Sequence, residues 1–582
     1  MQNKLNFFKK EQPKSTNKRA SKDALFSRNT INTLSGREIA GIVMDKLLLL
    51  LVLASICLFV LYPLLCIARR SMLAEDGGWT LSFYGEAWQK YAQTLWNSVF
   101  VATLSAILCT VFSVATALVV SSSKGWVRIL GMAIILITMV SPPFVGSLAY
   151  IQLYGKRGWI TYGLLGLRWN PYNKWGVILM QSISFVPMNA LFLNGILTKI
   201  DSDSIKAARD LGASQSSILK DVVIPQMKPG IAVCLLLSFI RSLADYGTPL
   251  IIGGRFSTIA SDIYYQLTGY ANLELASVMN MFLVIPSIGS FFLYRWLMAK
   301  SDALTNANRG KQGQIELKLR KCGPLGLLVC GSSALFFIMM VLQYACTFSM
   351  GFIKVSKKGN SFTLQYLEQL LRTDLKTMIR SILYALIVSL VGTLFAMVFS
   401  YYMDRRHVPL RRGFDFLVML PYMLPGTCFG IGYILAFNHK PLKLTGTALI
   451  VLACMLFKQL PNCTKICSAS LKQIPVAQER AVRDLGGGQM AVLRDVILPG
   501  LKPAFLSCFS YNFSSSMTTA GAIIFLINPA RKLAVFKLFD AVYTGDYALA
   551  ALISTLIILI VLAVEGIVYW LTGKVAKQSY VS

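Results

Sequence analysis

Acidic residues and histidine are scarce in this sequence. There are 26 Asp and Glu against 57 Lys and Arg, and only 2 His, and charged residues of both signs fill just 14% of 582 positions. So little charge beside 55% hydrophobic residues and a mean hydropathy of +0.58 excludes an ordinary soluble protein of this length. Two histidines, His407 and His439, lying in loops on opposite sides, supply neither a Ser-His-Asp set nor a His-rich metal site. No segment has the form Gly-x-x-x-x-Gly-Lys-(Ser/Thr), so the phosphate-cradling loop of nucleotide hydrolases is missing. The first forty-odd residues are basic and lack an apolar core with a cleavage site, which excludes a signal peptide and predicts a cytoplasmic tail over residues 1–43. The 12 cysteines offer no disulfide framework and no zinc spacing; most lie inside apolar runs, as small core residues do. Cys463 and Cys467 can share a helix face, but two thiols alone make a poor metal site, and no metal site is expected.

What the sequence has instead is apolar runs of about 20 residues, each long enough to cross roughly 30 Å of hydrocarbon. Twelve spans are predicted, giving an all-α polytopic membrane protein. Six fall in a first half, 44–300, and six in a second, 322–582, joined by a cytoplasmic linker over 301–321. The formal charge of +31 does not indicate nucleic-acid binding, because the basic residues concentrate in alternate short loops. With the N-terminus inside, the inner segments carry roughly twice as many Lys and Arg as the outer loops. The chain is therefore expected to be a multi-pass protein of the plasma or inner membrane with both termini in the cytoplasm.

Two inner segments match each other. IKAARDLGASQSSILKDVVIPQMKPG begins at Ile205 and ERAVRDLGGGQMAVLRDVILPGLKPA at Glu479, and they align without a gap. Each follows the fourth span of its half, so the chain reads as a tandem duplication with parallel topology. Each copy encodes a helix, a glycine break and a second helix. Asp201 to Ser204 offer caps, Gly212 and Gly486 supply left-handed turns, Ser214 can open the second helix, and Pro225 and Pro499 are expected to stop it. A short helix with a small apolar face and a charged rim is suited to a partner's groove.

These residues resemble the cytoplasmic loop of binding-protein-dependent ABC transporter permeases of the MetI-like, type I importer kind. The loops 201–230 and 475–504 carry the resemblance. The matching positions are Lys206, Ala207, Ala208, Arg209, Asp210, Leu211, Gly212 and Pro225, and Arg480, Ala481, Val482, Arg483, Asp484, Leu485, Gly486 and Pro499. The family's acidic residue is replaced by Lys206 and Arg480, which removes any ion pair it would make. The resemblance implies a transport subunit without catalysis of its own. It implies two copies of an ABC ATPase binding ATP and Mg, an extracytoplasmic solute-binding protein and alternating access between two rocking halves.

Further positions suggest a pathway. The third span holds Pro142 and Pro143, and the ninth holds Pro421, Pro425 and Gly426; such breaks survive in lipid where protein or a cavity covers them. Close packing of kinked helices explains them equally well. Arg241 and Asp245 stand four apart in the fifth span and can pair; Lys458 sits inside the tenth. The stretches from Ser242 to Pro249 and from Ser516 to Leu526 resemble fused ferric-iron permeases, whose near relatives import 2-aminoethylphosphonate, thiamine or other small polar solutes. A gradient-driven secondary transporter is the rival; it accounts for the spans but not for the matched loops. An exporter-type permease is a second rival.

Overall fold

The computed structural model describes residues 36–73, 78–168, 170–307, 317–356, 359–406 and 408–579. Most of the tail over 1–43, much of the 301–321 linker and His407 lie outside the described residues. The first half contributes α1 (Ala40–Arg70), α2 (Ser82–Ser122), α3 (Gly125–Val140), α4 (Val145–Tyr154), α5 (Lys174–Leu197), α6 (Ser202–Asp210), α7 (Gln215–Ala244) and α8 (Leu273–Ala307). The second contributes α9 (Gly323–Met350), α10 (Leu375–Arg405), α11 (Arg411–Met423), α12 (Gly426–Phe437), α13 (Ala448–Leu471), α14 (Val476–Asp484), α15 (Lys502–Thr518) and α16 (Tyr547–Ser579). A two-stranded hairpin, β1 (Ile353–Ser356) with β2 (Gly359–Phe362), follows α9.

Among the described residues, 9 helices are long and apolar enough to span a membrane, or up to 11 if each of two bent pairs is one span. The expected count of twelve is not reached. The fifth span expected in the second half corresponds to α15, which has 17 residues and ends at Thr518 in a series of turns. Its serines and threonines dilute the apolar run, and Gly521 interrupts it. The third and ninth spans are sharply broken rather than kinked: α3 meets the segment from Val145 at 108°, and α11 meets α12 at 114°.

The duplication is visible in the packing. α2 lies along α5 and α7, and α10 lies along α13 and α15, so equivalent helices make equivalent contacts. Helices α5 and α13 have 24 residues each, and Pro187 and Pro461 interrupt them at the same place, separated by the same interval as Gly212 and Gly486. The group two residues on differs: Asn189 donates to Ser238 at 2.6 Å, whereas Cys463 donates to Asn512 at 3.1 Å. Both pairs bind the fourth span of a half to the fifth.

The halves exchange their opening spans. α1 packs on α10, α11 and α12 of the second half, while α9 packs on α2 and α4 of the first. Asp45, buried on α1, fixes this arrangement. Its carboxylate accepts from Tyr402 at 2.9 Å and from Arg406 at 2.6 Å, both from the end of the α10 region. A buried carboxylate is tolerable when it is paired and hydrogen-bonded in this way.

Candidate functional site: two matched loops and an inter-half cavity

The two loops fold alike. Asp201 caps α6 by accepting from the Asp203 backbone N–H at 3.0 Å. At its end, Gly212 N–H donates to Arg209 and Ala213 N–H to Ala208, at 2.9 and 3.0 Å. In α14, Gly486 N–H donates to Arg483 and Gly487 N–H to Val482, at 3.0 and 2.8 Å. Both are full Schellman closures, which need a left-handed residue, and Gly212 and Gly486 each have φ +82°. The glycine reading of the sequence is matched position for position.

Neither proline stops its helix, contrary to expectation. Ile218–Val223 and Leu493–Ile497 are π-helical turns, each leading directly into a proline in the next helical turn. The extra residue in a π turn shifts the backbone register, so the missing proline N–H costs no regular hydrogen bond. α7 thus runs unbroken to Ala244, and the second loop breaks later, at Leu501.

Each short helix buries one side against its own half and exposes the other. Ile205 and Ala208 face inward on α6; Glu479 and Val482 do so at the equivalent positions of α14. Lys206, Ala207, Arg209 and Asp210, and Arg480, Ala481, Arg483 and Asp484, are outward. Leu211 and Leu485 are each 88% exposed. A leucine this exposed at the same point of two copies is a paired apolar knob with a charged rim.

The loops are seated differently. The first is held by the linker: Ser216 donates to the Cys322 carbonyl at 2.8 Å, and Leu317, Leu319 and Cys322 pack with Ile205, Ile218 and Leu219. The second is held by Arg405, which donates to the Leu471 and Ile474 carbonyls at 2.7 Å each and lies 3.3 Å from the buried Glu479 carboxylate. Sequence reasoning missed the role of Arg405; the one signal available was an acidic residue, Glu479, at the position that Ile205 holds in the first copy.

A cavity of about 530 Å³ lies between the halves, lined by Arg241 of α7, by Pro421, Tyr422, Leu424 and Gly426 at the α11–α12 break, and by Lys458, Gln459, Asn462 and Lys465 of α13. Four of the suggested pathway residues, Arg241, Pro421, Gly426 and Lys458, therefore come together. Pro142, Pro143, Pro425 and Asp245 are not in the lining, although Met139, just before the first break, is. Pro142 is buried and Pro143 exposed at that break, and Pro425 opens α12. Gly426 must be glycine: a Cβ there would stand 2.9 Å from the Gly521 and Ala522 backbone.

The expected Arg241–Asp245 pair does not form. Asp245 ends α7, where its carboxylate accepts from Gln181 at 3.0 Å and from the Gly247 and Thr248 N–H groups at 3.0 and 3.2 Å. The helix stops between the two charges, so i,i+4 geometry is lost and the free N–H groups of the next helix take the carboxylate instead. Arg241 turns to the Met188 sulfur. Sequence reasoning also missed Lys465, two turns beyond Lys458 on the same face of α13, a spacing readable from the sequence.

Comparison with known proteins agrees with this geometry. Residues 110–302 and 389–577 each match the family described as binding-protein-dependent transport system inner membrane component. The ferric transport system permease protein of Actinobacillus pleuropneumoniae is 27% identical over 490 residues, 82% of this chain and 71% of that protein. A putative ferric transport system permease protein of Haemophilus influenzae is 28% identical over 520 residues, 86% of this chain and 82% of that protein. A molybdenum transport system permease protein of Mycobacterium tuberculosis is 28% identical over 193 residues, covering 32% of this chain and 72% of the relative. Two tandem matches, two matched loops and an apolar helical body identify a transport subunit rather than an enzyme. The chain belongs to the binding-protein-dependent transport system inner membrane component family, as a membrane-spanning permease made of two fused copies of that component.

Proposed function

We propose that this permease imports ferric iron, delivered by an extracytoplasmic binding protein and driven by two copies of a separate ATPase that binds ATP and Mg. The observation that carries the ATPase reading is the paired knob: Leu211 and Leu485, equally exposed beside glycines of equal φ, at the tips of two short helices. Each exposes one large apolar side chain ringed by charge, which suits insertion into a groove on a second protein. Two such sites on one chain call for two copies of one partner. The iron reading is supported by the names of the two long-matching relatives.

The architecture supports an alternating-access reading. Closing the ATPase pair would draw α6 and α14 together. α6 is joined through the Gly212 turn to α7, which runs unbroken through its π turn and carries Arg241 at the cavity wall. α14 is joined through its own loop to α15, whose Ser515 lines the same cavity. A displacement at the first loop would reach the cavity along the unbroken α7, and one at the second through the break at Leu501 and then α15, giving both sites one two-state element to bias. Pro421, Gly426 and the α11–α12 break would act as the movable wall.

The loops and both termini belong on the cytoplasmic side in this reading. Reporter fusions at Lys10 and Ser582 are expected to give cytoplasmic signals only; an external signal at either end overturns the orientation. Cells supplied with this chain, the ATPase and the binding protein are expected to accumulate radio-iron, and cells lacking any one of them are not. Uptake that persists without the ATPase favours a gradient-driven secondary transporter.

A further inference from the structure

The inter-half cavity is lined by basic side chains. Arg241, Lys458 and Lys465 line it, and no carboxylate does. Among the described residues none of the three forms an ion pair with Asp or Glu. The Arg241 guanidinium meets the Met188 sulfur. The Lys458 ammonium lies 5.8 Å from the centre of the Phe429 ring, and that of Lys465 lies 4.9 and 5.9 Å from the Tyr422 and Tyr294 rings. Aromatic faces offset part of the desolvation of a cation but do not neutralise it. Asp245, the acid nearest in sequence to Arg241, is spent on Gln181 and two backbone N–H groups.

Unpaired charges inside a membrane protein are expensive and are kept where they serve a pathway. Lys458 cannot relieve itself by reaching for the interface, because it sits near the middle of the 24-residue α13. Three cations around one space of about 530 Å³ repel one another and any bare metal ion. They attract a small anion, and Asn462, Tyr511 and Ser515 add hydrogen-bonding groups at the same wall. Lys465 also borders a second cavity of about 520 Å³, where Arg295 and Lys472 stand beside Asp404 and Asp415. Of these two cavities only the second has carboxylates in its lining.

We infer that the solute crosses this chamber as an anion carrying carboxylate, phosphate or phosphonate oxygens, so that ferric iron passes as an anionic oxygen-ligand complex and not as the bare trication. The inference rests on the proposal that the chamber is the transport path. A cationic solute such as thiamine is disfavoured by the same field.

The test uses the full assembly of this chain, ATPase and binding protein in vesicles, with radio-iron offered alongside labelled phosphate or labelled citrate. Anion is expected to enter together with iron. Lys458→Met is expected to lower iron uptake roughly tenfold, about 1.4 kcal/mol of lost anion stabilisation, while still co-purifying with the ATPase; Lys458→Arg keeps uptake. Should Lys458→Met fail to assemble, Lys465→Gln, whose side chain is exposed to the chamber, is expected to show the same loss. Iron entering without anion overturns the inference, as does wild-type uptake by the neutral variants. Ser515→Trp separates the two ways of failing, because it fills the chamber. If it blocks uptake while the neutral variants are silent, the path stands and the charge argument falls. If it too is silent, the chamber is not the path.

Discussion

Replacing Gly212 or Gly486 with valine is expected to cut binding-protein-stimulated ATP hydrolysis by roughly 5- to 30-fold in the reconstituted complex, and by similar amounts at the two sites. Both glycines have φ +82° and close the same pair of backbone hydrogen bonds. A Cβ would meet no atom within 4 Å at either position, so the penalty is one of backbone conformation alone. A β-branched residue held in the left-handed region costs about 1–2 kcal/mol. The loop relieves that strain by unwinding the last turn of the preceding helix, which carries Leu211 or Leu485 out of place. Gly487 stands next to Gly486 but already supplies the second closing N–H, to the Val482 carbonyl at 2.8 Å, so the turn cannot shift onto it without losing that bond. Docking of the binding protein, on the far side, is expected to persist. Full stimulated activity in Gly212→Val would separate these loops from coupling altogether.

Arg405→Ala is expected to destabilise the purified permease by about 3–5 kcal/mol, the range for breaking a buried ion pair by removing one partner. Three acceptors lose their donor at once: the carbonyls of Leu471 and Ile474, which end α13 and lead into the loop, and the Glu479 carboxylate on α14. Glu479 is 3% exposed, so its charge would be left in a site that water does not reach, with only the longer 3.9 Å contact to the half-exposed Arg483. The second loop should loosen and the first should not, because Arg405 touches nothing in the first. Denaturation monitored by tryptophan fluorescence measures the stability. Limited proteolysis locates the damage, with new cleavage expected near Arg480 and none near Arg209. Replacing both partners, Arg405→Met with Glu479→Leu, should recover part of the loss, because no buried charge then remains. An Arg405→Ala protein as stable as the parent would make the pair incidental.

Much of this architecture was legible because it depends on short-range rules. Apolar runs gave most of the spans, and a helix ending in glycine has few alternatives to a left-handed turn, so Gly212 and Gly486 were readable one residue at a time. The proline stops at Pro225 and Pro499 were misread because a π turn one step earlier absorbs a proline, and π turns have no strong sequence signature. Arg241 and Asp245 were misread for a related reason: four-residue spacing implies contact only while the helix continues, and α7 ends at Ala244. The cavity was half legible. Lys458 drew attention as a lone charge, yet its meaning depends on Arg241 from the other half and on Lys465, and contacts between distant segments leave no mark in local spacing. Arg405 and Asp45 were invisible for the same reason: each looks like ordinary interfacial charge until its partner, 74 or more positions away in the chain for Glu479 and farther for Tyr402, is known.

The central claim is that one chain presents two equivalent handles to two copies of an ATPase. Its most direct test is cross-linking from Leu211→Cys and Leu485→Cys, made singly and together, in the assembled complex with a thiol-reactive linker. Each single variant is expected to yield one permease joined to one ATPase subunit, and the double variant one permease joined to two. Absence of any ATPase adduct from both positions, in vesicles that still take up solute, would contradict the account.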